Sequence, residues 1–281
     1  MNKVRDLAIV LRSVPYEERH RVVTALTENH GKVSGLARNA IQSRRFGGTL
    51  EPFVASSWIF VERPGADLVR IEEAEVRRTF EGLRKDFERL AEASVFNELM
   101  LKLAPEREAC PELFRLHSNA LVALEELPGS GVELSLLNGY MAKLLQWCGN
   151  HPQLRSCMGC QLPLESFWEG QTGLRPGAQE ATLTCVVADA GWFCSSCRET
   201  QTRHLRDRSG QSLAHSSLMV SPAAITDFFM SLASPIRQVP GLAQADEQGR
   251  RGLFHFLEGL FLYHIPGFDR APLKGLRFLG L

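Results

Sequence analysis

What this chain lacks narrows its class before any motif is read. No apolar stretch approaches the roughly 18–20 uncharged residues of a membrane-spanning helix. The longest near the C-terminus, from Leu253 to Ile265, is broken by His255, Glu258 and His264. The opening MNKVRDLAIVLRS has no apolar segment ahead of a small-residue cleavage site, so no secretory leader is expected. Internal repeats and low-complexity tracts are missing. So are a GxxxxGK(S/T) phosphate loop, a GxSxG elbow, an HExxH pair and an acidic cluster spaced for two metals. Asp and Glu lie mostly beside Arg and Lys on prospective helix faces, as between Glu81 and Arg89, where solvated ion pairs account for them. The expectation is a cytoplasmic protein that is not an enzyme and does not enter a membrane.

The chain also lacks net charge, with 32 Lys and Arg against 32 Asp and Glu, but that balance conceals an uneven distribution. Residues 1–50 hold nine bases (Lys3, Arg5, Arg12, Arg19, Arg21, Lys32, Arg38, Arg44, Arg45) and four acids (Asp6, Glu17, Glu18, Glu28). A second basic segment, Arg198, Arg203, Arg206 and Arg208, contains only Glu199 and Asp207. Local clusters, rather than the sum, decide whether a polyanion is attracted.

Residues 5–75 predict five short strands, at 5–13, 20–28, 31–38, 53–62 and 67–75, rich in Val, Ile, Leu, Thr and aromatics. Asn29-His30-Gly31 and Pro64-Gly65 suit the turns between the second and third and between the last two. Five strands in this length fit a small barrel of the OB type, and an SH3-like barrel fits the same pattern. From about residue 80 the period becomes helical. Phe96, Leu99, Met100 and Leu103 share one face, as do Leu137, Tyr140, Met141, Leu144 and Cys148. A further helix is expected to start at Ser221-Pro222, with Ser as cap, and a last one covers roughly Gly252 to Tyr263.

Residues 152–200 interrupt this text with Pro, Gly, Trp and five of the seven cysteines. Cys157-Met-Gly-Cys160 and Cys194-Ser-Ser-Cys197, 33 residues apart, have the spacing by which two tight turns present four thiolates to one tetrahedral Zn²⁺. Four protein ligands leave no position for a reactive water, so one structural zinc is expected. Plain reduced thiols or a redox pair would need the doubled spacing to be accidental, and neither pair follows a βαβ context. Cys185, within Leu183 to Val187, reads as a buried strand residue, and Cys110 and Cys148 as buried thiols.

Taken in order, these segments resemble the bacterial RecO family. The resemblance runs through Ala8-Ile9-Val10-Leu11-Arg12, Leu26-Thr27 to His30-Gly31-Lys32, and Ser43-Arg44-Arg45-Phe46-Gly47-Gly48-Thr49-Leu50-Glu51-Pro52-Phe53. It continues through Leu83-Arg84 to Glu98-Leu99, the two cysteine pairs with Gly191-Trp192-Phe193, and Tyr263-His264 followed by Pro272-Leu273-Lys274. It implies an α+β multidomain protein with an OB-fold at 1–79, a helical body at 80–153 and 201–281, and an inserted zinc module at 154–200. It further implies a nucleoid-associated recombination mediator that binds single- and double-stranded DNA and anneals complementary strands. With RecR, such a protein helps load RecA onto DNA coated by single-strand binding protein (SSB), whose acidic C-terminal tail would dock on an apolar groove rimmed by Lys or Arg.

Against the family pattern, Ala37-Arg38-Asn39-Ala40 stands where a basic cluster is common. The DNA-contacting candidates are Arg38, Arg44 and Arg45 around the loop ending in Gly47-Gly48, and Arg203 and Arg206 after the second cysteine pair. Phe46 suits either base stacking or anchoring of the loop in the core. Lys274 and Arg277 read as exposed charges. The competing classes are an RNA-binding zinc-ribbon factor and an enzyme whose zinc is purely structural.

Overall fold

The structure, a computed structural model, describes residues 3–43, 45–62, 65–129, 131–166, 183–200, 217–268 and 273–280. They form two compact units, one of residues 1–132 and 273–281 and the other of residues 133–272.

Five strands form the first unit's barrel: β1 (Lys3–Tyr16), β2 (His20–Thr27), β3 (Gly31–Ala37), β4 (Ala55–Val61) and β5 (Val69–Arg78). The five expected strands are present. Their order around the barrel is β1-β2-β3-β5-β4, closed by β1 against β4. Every pairing is antiparallel except the short β3–β5 contact, Gly35 to Ala37 against Val69 to Ile71. This is the OB topology, which resolves the choice that periodicity alone leaves open.

β1 runs five residues longer than its pattern predicts because one strand serves two partners. Its first half pairs with β4 and its second with β2, with a bulge between Val10 and Arg12. A bulge leaves ladder groups unpaired. Here the Asn97 side-chain amide donates to the carbonyls of Leu11 at 2.9 Å and Val10 at 3.3 Å. The barrel interior is filled by Ala8, Val10, Val23, Ala25, Val33, Trp58, Phe60, Val69 and Ile71, alternate residues of strands with one face inward. Buried Asp6 holds the β2–β3 turn, accepting from Asn29 N at 3.0 Å and Asn29 Nδ2 at 2.9 Å and bonding His30 Nδ1 at 2.7 Å.

Two helices complete this unit, α1 (Phe87–Leu103), capped by Asp86 on Arg89 N, and α2 (Pro111–Glu126). A 3₁₀ turn at Lys274–Phe278 packs on α1.

In the second unit α3 (Leu134–Trp147) packs against α4 (Pro222–Ala233) and α5 (Glu247–His264). Ser221 caps α4 as expected, accepting from Ala224 N at 3.2 Å. α5 starts five residues before its expected position, because Asp246 caps it through Gly249 N at 2.7 Å. Buried Asp227 fixes the approach to α5 by accepting from Gln244 N at 2.8 Å and Ala245 N at 2.9 Å. A small antiparallel sheet, in the order β7-β6-β8, joins β6 (Leu183–Val186), β7 (Gly191–Phe193) and β8 (Ser217–Val220). No helix among the described residues is long and apolar enough to cross a membrane.

Candidate metal centre and nucleic-acid surface

Backbone contacts between residues 153–164 and the β6–β7 hairpin bring the two cysteine pairs together. Gln153 N donates to Ala190 O at 2.6 Å, Met158 N to Trp192 O at 2.9 Å, and the buried Trp192 indole to Leu154 O at 3.0 Å. All four expected sulfurs, those of Cys157, Cys160, Cys194 and Cys197, then lie within 4.8 Å of one another, with Cys160 and Cys194 at 3.7 Å. A metal–sulfur bond of about 2.3 Å gives a tetrahedron with edges of roughly 3.8 Å, so the set fits one thiolate-preferring ion.

Two further observations support that fit. Backbone N–H groups of Cys194 and Gly159 donate to Cys157 Sγ at 3.2 and 3.4 Å, the arrangement that stabilises a thiolate. A Cβ at position 159 would meet Cys197 Sγ at 2.8 Å, so the glycine leaves room for the fourth sulfur. Burial raises the Cys194 thiol, but hydrogen bonds from Ser196 and Cys197 outweigh it and bring the group to about 6. Cys197, hydrogen-bonded to Cys194 and Cys160, is pushed up to about 12. Protons shared in this way are what a cation would displace.

The other cysteines stand apart from this cluster. Cys185 is fully buried on β6 and its thiol is pushed well up by burial, as expected of a strand residue. Burial also raises Cys110, to about 11, and Cys148, although Cys148 is only partly buried.

The basic residues of the barrel divide by what holds them. Lys32 Nζ donates to Leu101 O at 2.6 Å and pairs with Glu106 at 3.4 Å, which makes it a structural tie. Lys3 pairs with Glu72 at 2.8 Å and Arg21 with Glu51 at 3.1 Å. Arg5, Arg12, Arg19, Arg38 and Arg45 are exposed and form no ion pair among the described residues.

Arg38 follows Ala37, which pairs with Arg21, and its loop returns to the β1–β2 hairpin through Asn39 N to His20 Nδ1 at 2.9 Å and Ile41 N to Arg19 O at 3.2 Å. This end of the barrel therefore gathers Arg38, Arg19 and the exposed Tyr16, whose Cα pairs with His20. Tyr16 and Arg19 were not among the candidates from sequence. Arg45 instead lines an open groove with Arg5, Ser57, Ile59, Glu73 and Glu75.

Phe46 is not available for stacking. It is 2% exposed within the barrel core, with Arg45 over its ring at 5.3 Å, so the anchoring alternative holds. Arg44, Arg203 and Arg206 lie outside the described residues.

Comparison with known proteins bears on the whole of this arrangement. The family model described as "Recombination protein O N terminal" matches residues 1–80, and "Recombination protein O C terminal" matches residues 84–215. The DNA repair protein RecO of Anaeromyxobacter sp. (strain K) is 38% identical over 193 residues, covering 68% of this chain and 72% of that protein. The RecO of Geobacter sulfurreducens is 37% identical, covering 57% and 64%. That of Caldanaerobacter subterraneus is 28% identical, covering 71% and 73%. With a closed OB barrel at the N-terminus, a helical body and a four-cysteine cluster between its helices, this chain belongs to the RecO family.

Proposed function

We propose that the chain is a recombination mediator without catalytic activity. In this reading it binds single- and double-stranded DNA, anneals complementary strands and, together with RecR, helps RecA load onto SSB-coated strands. Membership of the family carries the DNA repair and recombination role. The observation that best supports direct DNA contact is the end of the barrel that carries Arg19, Arg38 and the exposed Tyr16. Neither arginine is ion-paired among the described residues, and Glu17 of the same turn pairs with His20 at 3.5 Å. Unpaired guanidinium groups bind phosphates without reading sequence, and an exposed ring beside them can stack on a base. Arg45, in its groove with Arg5, is a further candidate, as are Arg44, Arg203 and Arg206, which lie outside the described residues.

Zinc is the ion we assign to the four sulfurs, because a closed all-thiolate set in a reducing cytoplasm suits Zn²⁺ and gives it a structural role. The division into barrel (1–79), helical body (80–153 and 201–281) and zinc module (154–200) follows the same reading. Docking of the SSB tail is supported by an open groove in the second unit, lined by Leu154, Phe228, Phe229, Met230 and Leu232 together with Gln146, His151, Gln153 and Thr226, with Arg155 lying 5.0 Å over the Phe229 ring. An apolar groove with a cation at its edge suits an acidic peptide that ends in an aromatic residue.

Annealing of SSB-coated complementary oligonucleotides, with and without RecR and without ATP, tests the reading. The expected result is annealing by the chain alone that RecR modulates. Failure to anneal, with zinc content and fold intact, would remove the mediator assignment. Stronger competition by structured RNA than by single-stranded DNA would favour an RNA-binding factor.

A further inference from the structure

Among the described residues the two most exposed large apolar side chains are Phe87 and Phe278, each 61% exposed. They lie against one another, with ring centroids 6.1 Å apart and planes at 87°. One belongs to the first turn of α1, the other to the 3₁₀ turn at Lys274–Phe278, so elements far apart in sequence present one aromatic pair to solvent. Burying either ring in the core would have contributed about 1.5–3 kcal/mol, and leaving both outside forgoes it.

The pair is held in place. Glu98 accepts from Lys274 N at 2.7 Å and Gly275 N at 3.3 Å, anchoring the start of the 3₁₀ turn on α1. A Cβ at position 275 would meet Val95 Cγ2 at 2.7 Å and Val95 N at 3.2 Å, so the turn sits against the helix at a distance only glycine permits. Lys85 and Arg277 flank the rings in sequence, both exposed and neither joined to an acid among the described residues. The Asp86 carboxylate beside Phe87 is turned to the start of α1, where it accepts from Arg89 N at 3.0 Å. Glu88 follows Phe87, but a step of about 100° around the helix carries it to another side.

We propose that Phe87 and Phe278 form a stacking platform for single-stranded DNA outside the barrel, with Lys85 and Arg277 meeting the backbone phosphates. The inference rests on the DNA-binding reading above. Open aromatic faces beside unpaired cations are the chemistry that holds unstacked bases. A pair of protruding rings offers no pocket to enclose a peptide side chain, and a duplex, whose bases are already stacked, gains little from it.

The test uses the full chain with zinc, a fluorescent oligothymidylate and a duplex of the same length. Phe87→Ala and Phe278→Ala should each weaken single-strand binding on the order of tenfold and duplex binding by less than about twofold. Phe87→Trp should restore affinity, and Phe278→Leu, which keeps apolar bulk without a ring, should not. Gly275→Ala, which displaces the turn with both rings intact, should weaken single-strand binding as well. An oligonucleotide carrying 5-iodouracil should crosslink to the peptides containing Phe87 and Phe278.

Wild-type protein that binds no oligonucleotide would overturn the DNA-binding reading and the platform with it. Wild-type protein that binds while both alanine variants bind equally well would overturn the platform alone. Loss of an acidic peptide's binding in the alanine variants, with oligonucleotide binding unchanged, would overturn it in favour of a protein partner.

Discussion

The barrel and the cysteine module both rest on short antiparallel strands, yet they are held by different forces. In the barrel, strands of seven to fourteen residues close on themselves and enclose Trp58, Phe60, Val23, Val33 and Ile71. The ladder has no free edge, and the buried apolar area supplies the stability. In the module, strands of three and four residues form a small open sheet whose buried side chains, among them Leu183, Val186, Trp192 and Phe193, are far fewer than the barrel's. Four sulfurs within 4.8 Å, two of them with little solvent contact, add to that small core the tie that joins the two cysteine turns. Closure by hydrophobic packing tolerates the loss of any one contact, whereas closure around an ion depends on every ligand.

The largest expected effect follows from that contrast. Cys157→Ser should abolish metal retention and unfold the module in an unfolding step separate from that of the barrel, because binding free energy at such a site is folding free energy. Elemental analysis and calorimetry check it, and Cys110→Ser, whose thiol is buried away from the cluster, is the control. A single cooperative loss of both regions would break the comparison.

Trp58→Ala should destabilise the barrel by about 3–5 kcal/mol through cavity formation while leaving metal stoichiometry unchanged. Denaturant melts read together with zinc content test this, and loss of zinc in the variant would contradict it.

A smaller effect depends on pH. Burial holds His117 of α2 down at about 3, from the usual 6.5. Between those values the unfolded chain binds a proton that the folded chain refuses, so stability falls as pH drops below 6.5 and the loss ends near 3. At pH 5 the cost is about 2 kcal/mol, and His117→Leu should flatten the profile. A profile unchanged by that substitution would mean that another group sets acid stability.

The smallest effect concerns binding rather than folding. Alanine at Arg38, Arg44 and Arg45 together should flatten the log–log salt dependence of single-strand binding by about 2, with no change in stability. Arg77→Ala with Arg251→Ala, removing arginines already paired with Glu75 and Glu247 at 3.0 Å each, should change it much less. Equal slopes in all three proteins would move the DNA surface away from the barrel loop.

Much of this was legible in the sequence where one signal had one cause. The CxxC spacing named all four sulfurs, and alternating apolar residues named five strands. Elsewhere one residue had two equally local readings. Phe46, between Arg45 and Gly47, reads alike as a stacking ring and as a plug, and only the barrel's interior decides. Lys32 counts as a free base until α1 and the chain after it supply Leu101 O and Glu106. The Arg19–Arg38 neighbourhood arises from β2–β3 register and loop hydrogen bonds, neither of which periodicity encodes. The true start of α5 is hidden in the sequence because Gly249 depresses helix propensity ahead of Gly252, which the Asp246 cap and tertiary packing override. α2 has no counterpart among the expected helices, although Leu113, Phe114, His117, Leu121 and Leu124 recur at helical spacing.

Phe46 has a kinetic consequence. With its ring inside the barrel and its carbonyl accepting from Thr49 N at 2.7 Å, the loop after β3 is fastened at its middle. A fastened loop meets its ligand already shaped, so association there should proceed as one salt-sensitive encounter at near-diffusional speed, with no slower ordering phase behind it. Replacing Phe46 by Ser would release the tether, and stopped-flow traces should then acquire that second phase while the arginines themselves stay untouched.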